Sequence, residues 1–179
     1  MTTIRLTTFG ALAAAVVAAT AVGLTAPAQA TFVAGADRAR ATIVDTGGAP
    51  IGFALLTEDG DGRVHVNVKV SGLEPGLHGI HVHAVGSCGA NFAAAGGHHN
   101  PLTQPHGSHA GDLPNLVVNA DGRGRLNATI TGFTLSASAT GAFDGDGSSI
   151  IVHAAPDDFV TQPTGNSGGR VACGVIVPA

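Results

Sequence analysis

The residues of this chain best suited to chemistry are its nine histidines, and their spacing matters more than their number. His81-Val82-His83 stands in a β-rich run, where side chains two apart point to the same side, so two imidazoles present their nitrogens to one point. A following stretch supplies His98, His106, His109 and Asp112 within fifteen residues. Three nitrogens and one carboxylate oxygen are the ligand type and number of a tetrahedral zinc site. His153 closes a later β-rich run, with Asp157 and Asp158 just beyond it. Cys88 and Cys173 lie outside the cluster by spacing, which points away from an iron–sulfur site or a thiolate copper site. His81, His83, His98, His106, His109, His153 and Asp112 make seven candidate ligands, whereas one first-row ion takes about four or five. Either two ions bind or some of the seven are bystanders, and spacing alone leaves both open.

The elements that must position these residues read as strands. Ala41–Val44, Ile51–Thr57, Val64–Val70, Gly79–His83, Leu116–Val118, Arg125–Thr131, Ile150–His153 and Val171–Val177 are short β-rich runs parted by glycine-and-aspartate turns. Val64 to Val70 alternates strictly, one valine face for a core and one polar face for water. Glu58-Asp59-Gly60-Asp61-Gly62 and Asn119-Ala120-Asp121-Gly122 sit between paired runs, where an Asp-Gly supplies the positive φ of a hairpin. No stretch past residue 30 keeps a 3.6-residue apolar period. Eight short strands predict an all-β antiparallel sandwich or flattened barrel. Its core must be aliphatic, because the chain has no Trp, no Tyr and only seven Phe. Gly86 to Pro114 shows no strand pattern, and a loop of that length is usually functional.

Residues 1–30 read as a leader. Arg5 precedes an apolar run of 16 positions, Phe9 to Leu24, and Ala28-Gln29-Ala30 is a small-x-small cleavage signal. The run is short against the roughly 20 residues of a membrane span, so cleavage after Ala30 and a secreted or periplasmic protein are expected, with no membrane attachment afterwards. Thr31 to Ala39 is a flexible lead-in, and 40–179 is one domain. From Thr31 the chain carries 7 basic and 12 acidic side chains, a formal net charge of −5. That charge argues against nucleic acid or an anionic membrane as the main partner, and an anionic substrate would need a local positive patch. Two cysteines in an exported chain allow one disulfide, Cys88–Cys173. Closing so long a loop stabilises by about 4 kcal/mol on chain-entropy grounds.

Four segments carry a resemblance. Gly76-Leu77-His78-Gly79-Ile80-His81-Val82-His83, Gly96-Gly97-His98-His99-Asn100-Pro101, His109-Ala110-Gly111-Asp112-Leu113-Pro114-Asn115 and Gly165-Asn166-Ser167-Gly168-Gly169-Arg170-Val171-Ala172-Cys173-Gly174-Val175-Ile176 resemble copper/zinc superoxide dismutase, in order and most like its exported bacterial branch. The resemblance implies a Greek-key β-barrel that converts superoxide to dioxygen and hydrogen peroxide. Copper would be held by His81, His83, His98 and His153, and zinc by His98, His106, His109 and Asp112, with His98 shared. Asp157 would link His81 and His106 as an orienting carboxylate, in line with the general behaviour of ligand histidines. Arg170 would be the fixed cation that draws in superoxide. His78 matches a structural histidine of the family, and His65 and His99 match no ligand. Electrostatic steering and near-diffusion rates are known of this enzyme class. The stretch Asp158–Thr164 carries no lysine, so steering here would rest on Arg170. Members of the family differ in assembly, so a monomer and a homodimer both stay open.

Three other readings are weaker. Gly165-Asn166-Ser167-Gly168-Gly169 fits G-x-S-x-G, but a nucleophile elbow needs a strand before it and a helix after it. A two-zinc hydrolase would call for more carboxylates around its paired metals. A copper carrier would favour Met and Cys ligands, and past the leader the chain has no methionine.

Overall fold

The structure, a computed structural model, describes residues 37–179. The expected leader, residues 1–30, and the first six residues of the expected lead-in lie outside the described residues. Ten strands follow in order: β1 (Arg38–Asp45), β2 (Pro50–Glu58), β3 (Val64–Val70), β4 (Gly76–His78), β5 (Ile80–His83), β6 (Leu116–Val118), β7 (Gly124–Ile130), β8 (Ser149–His153), β9 (Arg170–Val175) and β10 (Val177–Pro178). A single 3-10 turn, Ala93–Ala95, interrupts the loop between β5 and β6. Among the described residues no helix is long and apolar enough to cross a membrane.

The strands pair antiparallel in the order β4-β6-β7-β3-β2-β1-β9-β8-β5, with β10 against β1. β4 and β5 stand at opposite ends of this path, yet only Gly79 separates them in the chain. The sheet therefore has to curl until its ends meet, which makes it a nearly closed barrel. β3 reaches β4 by passing over β7 and β6, the Greek-key connection.

Ten segments replace the eight read from the sequence because the pairing of two runs changes midway. The run expected at Gly79–His83 begins at Gly76 and divides at Gly79, with β4 pairing β6 and β5 pairing β8. The run expected at Val171–Val177 divides at Ile176: β9 pairs both β8 and β1, and β10 continues against β1 alone. A change of partner leaves no mark on side-chain alternation. β1 also begins at Arg38, so the last two residues of the expected lead-in, Arg38 and Ala39, belong to the barrel. Ala39 and Ala41 both face inward, each 1% exposed, and alanine's weak strand preference conceals that start.

Alternation builds the core. Val64, Val66, Val68 and Val70 of β3 point inward while His65, Asn67 and Lys69 point out. They meet Ile43, Leu56, Ile80, Val82, Leu116, Ile150 and Val152, with Phe133 the one fully buried phenylalanine among the described residues. Each such side chain contributes about 1.5–3 kcal/mol by leaving water. On β5 and β8 every residue is buried. Ile80, Val82, Ile150 and Val152 fill the barrel, so His81, His83 and His153 lie on its outer side, beneath the loops 84–115 and 154–169.

Candidate metal centre

The long loop after β5 returns to pair with that strand, which fixes where its histidines stand. The amide of His99 donates to Val82 O, Val82 N to Gly111 O, Ala84 N to Gly97 O and Gly111 N to His99 O, all at 2.8–2.9 Å. Two isolated bridges, His83 with His98 and His81 with Asp112, result. Residues far apart in sequence thus become neighbours on one strand edge. The Cys88–Cys173 disulfide ties the first part of the loop to β9. Phe92 and Ala95 pack with Ile151 and Cys173 in a small apolar cluster there.

Two donor sets result. The first is His81, His83, His98 and His153, all buried, with one ligand atom from each within 4.8 Å of every other. Their tautomers follow from what the opposite ring nitrogens touch. His83 Nδ1 donates to Gly96 O at 3.0 Å, His153 Nδ1 to Gly168 O at 3.2 Å, and His81 Nε2 to Asp157 Oδ2 at 2.6 Å. A carbonyl or carboxylate only accepts, so His83 Nε2, His153 Nε2 and His81 Nδ1 keep free lone pairs. These three atoms and His98 Nε2 are buried without a hydrogen-bond partner. Four converging lone pairs shut away from water are costly unless a cation satisfies them.

The second set is His98, His106, His109 and Asp112. Asp112 Oδ1 lies 3.0, 3.4 and 3.2 Å from the Nδ1 atoms of His98, His106 and His109, and the Nδ1 atoms of His98 and His109 are 3.3 Å apart. Ligands about 2.0–2.1 Å from a tetrahedral ion stand roughly 3.3 Å from one another, so the donor set fits zinc. Asp112 Oδ2 accepts from the amides of Gly107 and His109, which turns Oδ1 toward the rings. His98 turns Nε2 to the first set and Nδ1 to the second.

Asp157 joins the two sets from behind. It accepts from His81 Nε2 on one oxygen, and on the other from His106 Nε2 and the amide of Phe159, at 2.9 and 2.7 Å. Asn115 holds its backbone with two bonds, one to the carbonyl and one from the amide. Gln162 does the same for His106, accepting from its amide at 2.7 Å and donating to its carbonyl at 3.3 Å. Asn115 closes one of the recognised segments, although its type alone gave no hint of this task. Gln162 has no sequence signal, because its partner is backbone.

Arg170 stands opposite His153 in the β8–β9 ladder. Its guanidinium donates to the carbonyls of Phe92 and Gly96, and Gly96 O is also the acceptor for His83. Other histidines lie elsewhere. His78 is buried between the carbonyls of His153 and Glu74, and His99 packs edge-on to Phe133. His65 faces outward, bonded to Thr129 and Asp59. Asp158 caps the turn at Val160 and Thr161. Ser167 is fully buried and donates to Thr164 O, which leaves no nucleophile for the G-x-S-x-G reading.

Burial sets the proton affinities. It lowers His81 to about 3, with the charge of His98 adding to the effect and the bond to Asp157 opposing it. It lowers His83 to about 2 and His153 to about 4. Burial would raise Asp112, but the bonds it accepts from His98 and His109 outweigh this and bring it to about 2. Between these folded-state values and the roughly 6.5 of a free histidine, the unfolded chain binds protons that the folded chain refuses, so stability falls as pH falls. The metal-free protein is expected to be flat in stability above pH 7.5 and to lose on the order of 2 kcal/mol per ring by pH 4.5, with the carboxylates adding their loss only below about pH 4. Denaturant midpoints of metal-free protein across this range test it, and an unchanged midpoint down to pH 4.5 would contradict it.

A nearly closed antiparallel barrel bearing two adjoining imidazole-rich sets that share one ring defines a β-barrel protein with side-chain clusters able to hold metal. The chain belongs to the copper/zinc superoxide dismutase family, whose pattern matches residues 51–176. It is 39% identical over 145 residues to the superoxide dismutase-like protein YojM of Bacillus subtilis, covering 75% of this chain and 74% of that protein. The crystal structure of a SOD-like protein from Bacillus subtilis superposes with a TM-score of 0.73 at 37% identity, over 77% of this chain and 97% of that one. The clock protein EA4 superposes with a TM-score of 0.71 at 32% identity, over 84% and 99%.

Proposed function

We propose that this protein dismutes superoxide with copper in the set His81, His83, His98 and His153 and zinc in the set His98, His106, His109 and Asp112. The observation that carries the proposal is His98, one ring with a nitrogen turned to each set. Relatives described only as superoxide dismutase-like leave the reaction open, so the reading rests on this chain's complete donor set. Bound copper supplies the one-electron redox change by which two superoxide ions and two protons become dioxygen and hydrogen peroxide. Imidazole ligands suit copper in both oxidation states. His98 can hold a proton at Nε2 or release it, which couples proton movement to the charge of the site. Residues 1–30, read as a leader, support export, and the reaction is proposed to run outside the cytoplasm.

Arg170 supplies the attraction. Its charge stands close enough to His83 and His153 to oppose their protonation, and the rest of the chain is net negative. An approaching anion meets a guanidinium whose orientation is fixed by two carbonyls. Arg170→Ile is expected to lower the rate about tenfold and to flatten its salt dependence, because salt screens steering. An unchanged rate and slope would remove Arg170 from the mechanism.

Stopped-flow superoxide decay with residues 31–179, loaded with one copper and one zinc, tests the function. Rapid decay abolished by chelating copper supports it. Decay no faster than that of the metal-free protein overturns it in favour of a copper carrier on the same barrel.

A further inference from the structure

Away from the metal centre, the basic side chains gather on one side of the barrel. Arg38, Arg40, Arg63, Lys69, Arg123 and Arg125 all lie on β1, β3, β7 or the turns that join β2 to β3 and β6 to β7. Arg63 is paired with Asp59 and Asp61, and Arg123 leans on Asp121 at 3.8 Å. Lys69 and Arg125 form no ion pair with any carboxylate among the described residues, and they stand directly opposite each other on β3 and β7. Like charges so placed weaken a sheet, and the fold keeps them there.

These two cations line a groove of about 290 Å³ together with Arg123, Ser71 and Phe53. The Phe53 ring is 41% exposed, and the Lys69 ammonium lies 5.8 Å from its centroid. The next cross-strand rows continue the surface with Leu55, Asn67 and Asn127, then Thr57, His65 and Thr129. They line a second concavity. The face thus offers cations at one end, an exposed ring beside them, and amides and hydroxyls beyond.

That combination selects its ligand. Paired cations call for carboxylate or sulfate, an exposed ring suits the apolar face of a sugar, and amides and hydroxyls answer its hydroxyl groups. The positive window is narrow, with Asp121 at one end and Asp59 and Asp61 at the other. Duplex nucleic acid, with a charge every ~1.7 Å of its axis, would lay phosphates on those acids. A chain with one charge per sugar is better matched to cations on neighbouring strands about 4.8 Å apart. We propose that the outer face of β2, β3 and β7 binds an acidic polysaccharide, with a carboxylated sugar seated between Lys69 and Arg125.

The test uses the full metal-loaded chain, with polygalacturonate as the probe and dextran and duplex DNA as comparators. Binding to polygalacturonate that salt reverses, no binding to dextran and weaker binding to DNA are expected. Lys69→Gln with Arg125→Gln should weaken polygalacturonate binding at least tenfold, and Phe53→Ala should weaken it several-fold. The double variant removes a repulsion, so its melting temperature should not fall. Its superoxide decay should equal that of the parent, because β2, β3 and β7 carry no member of either donor set. No binding in low salt, equal binding by the double variant, or equal affinity for DNA would overturn the proposal. So would a change from dimer to monomer in the double variant without any effect of the glycan, which would mark the face as a self-association surface.

Discussion

Replacing His98 with alanine is expected to empty both metal positions and to lower superoxide decay by more than two orders of magnitude. The reasoning is geometric. His83 and His153 each serve only the first set, and His109 serves only the second, whereas His98 directs Nε2 to one and Nδ1 to the other. Losing a group that merely orients a ligand costs about 10–100-fold in metal affinity or activity, and losing a shared ligand should exceed that. Metal analysis after dialysis against a chelator separates the cases. His109→Ala should release zinc and keep copper, while His98→Ala should release both. The barrel should survive either change, because the loop is stitched to β5 by backbone bonds around Val82 that do not involve the rings. His65→Ala is the control and should alter neither metal content nor superoxide decay, since its ring bonds Thr129 and Asp59 on the outer face. Two metals retained by His98→Ala, or a rate above a tenth of the parent, would sink the shared-ring assignment.

The sequence shows those parts of this architecture that side-chain type and short-range order express. Valines alternating from Val64 to Val70 announce an inner and an outer face, and Asp-Gly turns announce hairpins. His81 and His83, two apart on a strand, announce a common target. What stays hidden depends on long-range pairing. Whether seven ligands serve one ion or two could not be decided by spacing, because the answer lies in how 84–115 folds back. The pairing of His83 with His98 and of His81 with Asp112 settles which rings meet, and it runs through backbone groups that every residue possesses. The break at Gly79 is a change of partner and that at Ile176 the loss of one of two partners, both invisible to alternation. Gln162 is hidden for the same reason, since a glutamine that grips the backbone of a residue 56 positions away looks like any polar loop residue. Arg170 stood out through its resemblance alone, and the structure adds that Gly96 O holds both its guanidinium and the His83 ring.

Gly165 is the second position where a small change should have a large effect, and nothing about a glycine in a glycine-rich loop marks it out. Its φ is +62°, in the left-handed region, and its backbone is held by bonds from its amide to Thr161 O and from Asp158 N to its carbonyl. A Cβ there would lie 1.8 Å from Asp157 Oδ1 and 2.4 Å from His106 Nε2. The left-handed conformation alone costs an alanine roughly 1–2 kcal/mol. The collision is more serious, because the two atoms struck are hydrogen-bonded to each other at 2.9 Å and belong to the carboxylate that orients both His81 and His106. Neither can retreat without turning a ligand ring. Gly165→Ala is therefore expected to destabilise the protein by about 3 kcal/mol or more, in the range of strain and broken buried networks, and to weaken metal retention in both sets by about 10–100-fold. Gly169→Ala lies in the same loop, with an ordinary φ and open space around its Cβ, and should change neither. Melting temperature together with metal competition measures both effects. If Gly165→Ala loses stability but binds both metals as tightly as the parent, Asp157 does not govern the rings; if both quantities fall together while Gly169→Ala is silent, one carboxylate supports the two sites at once.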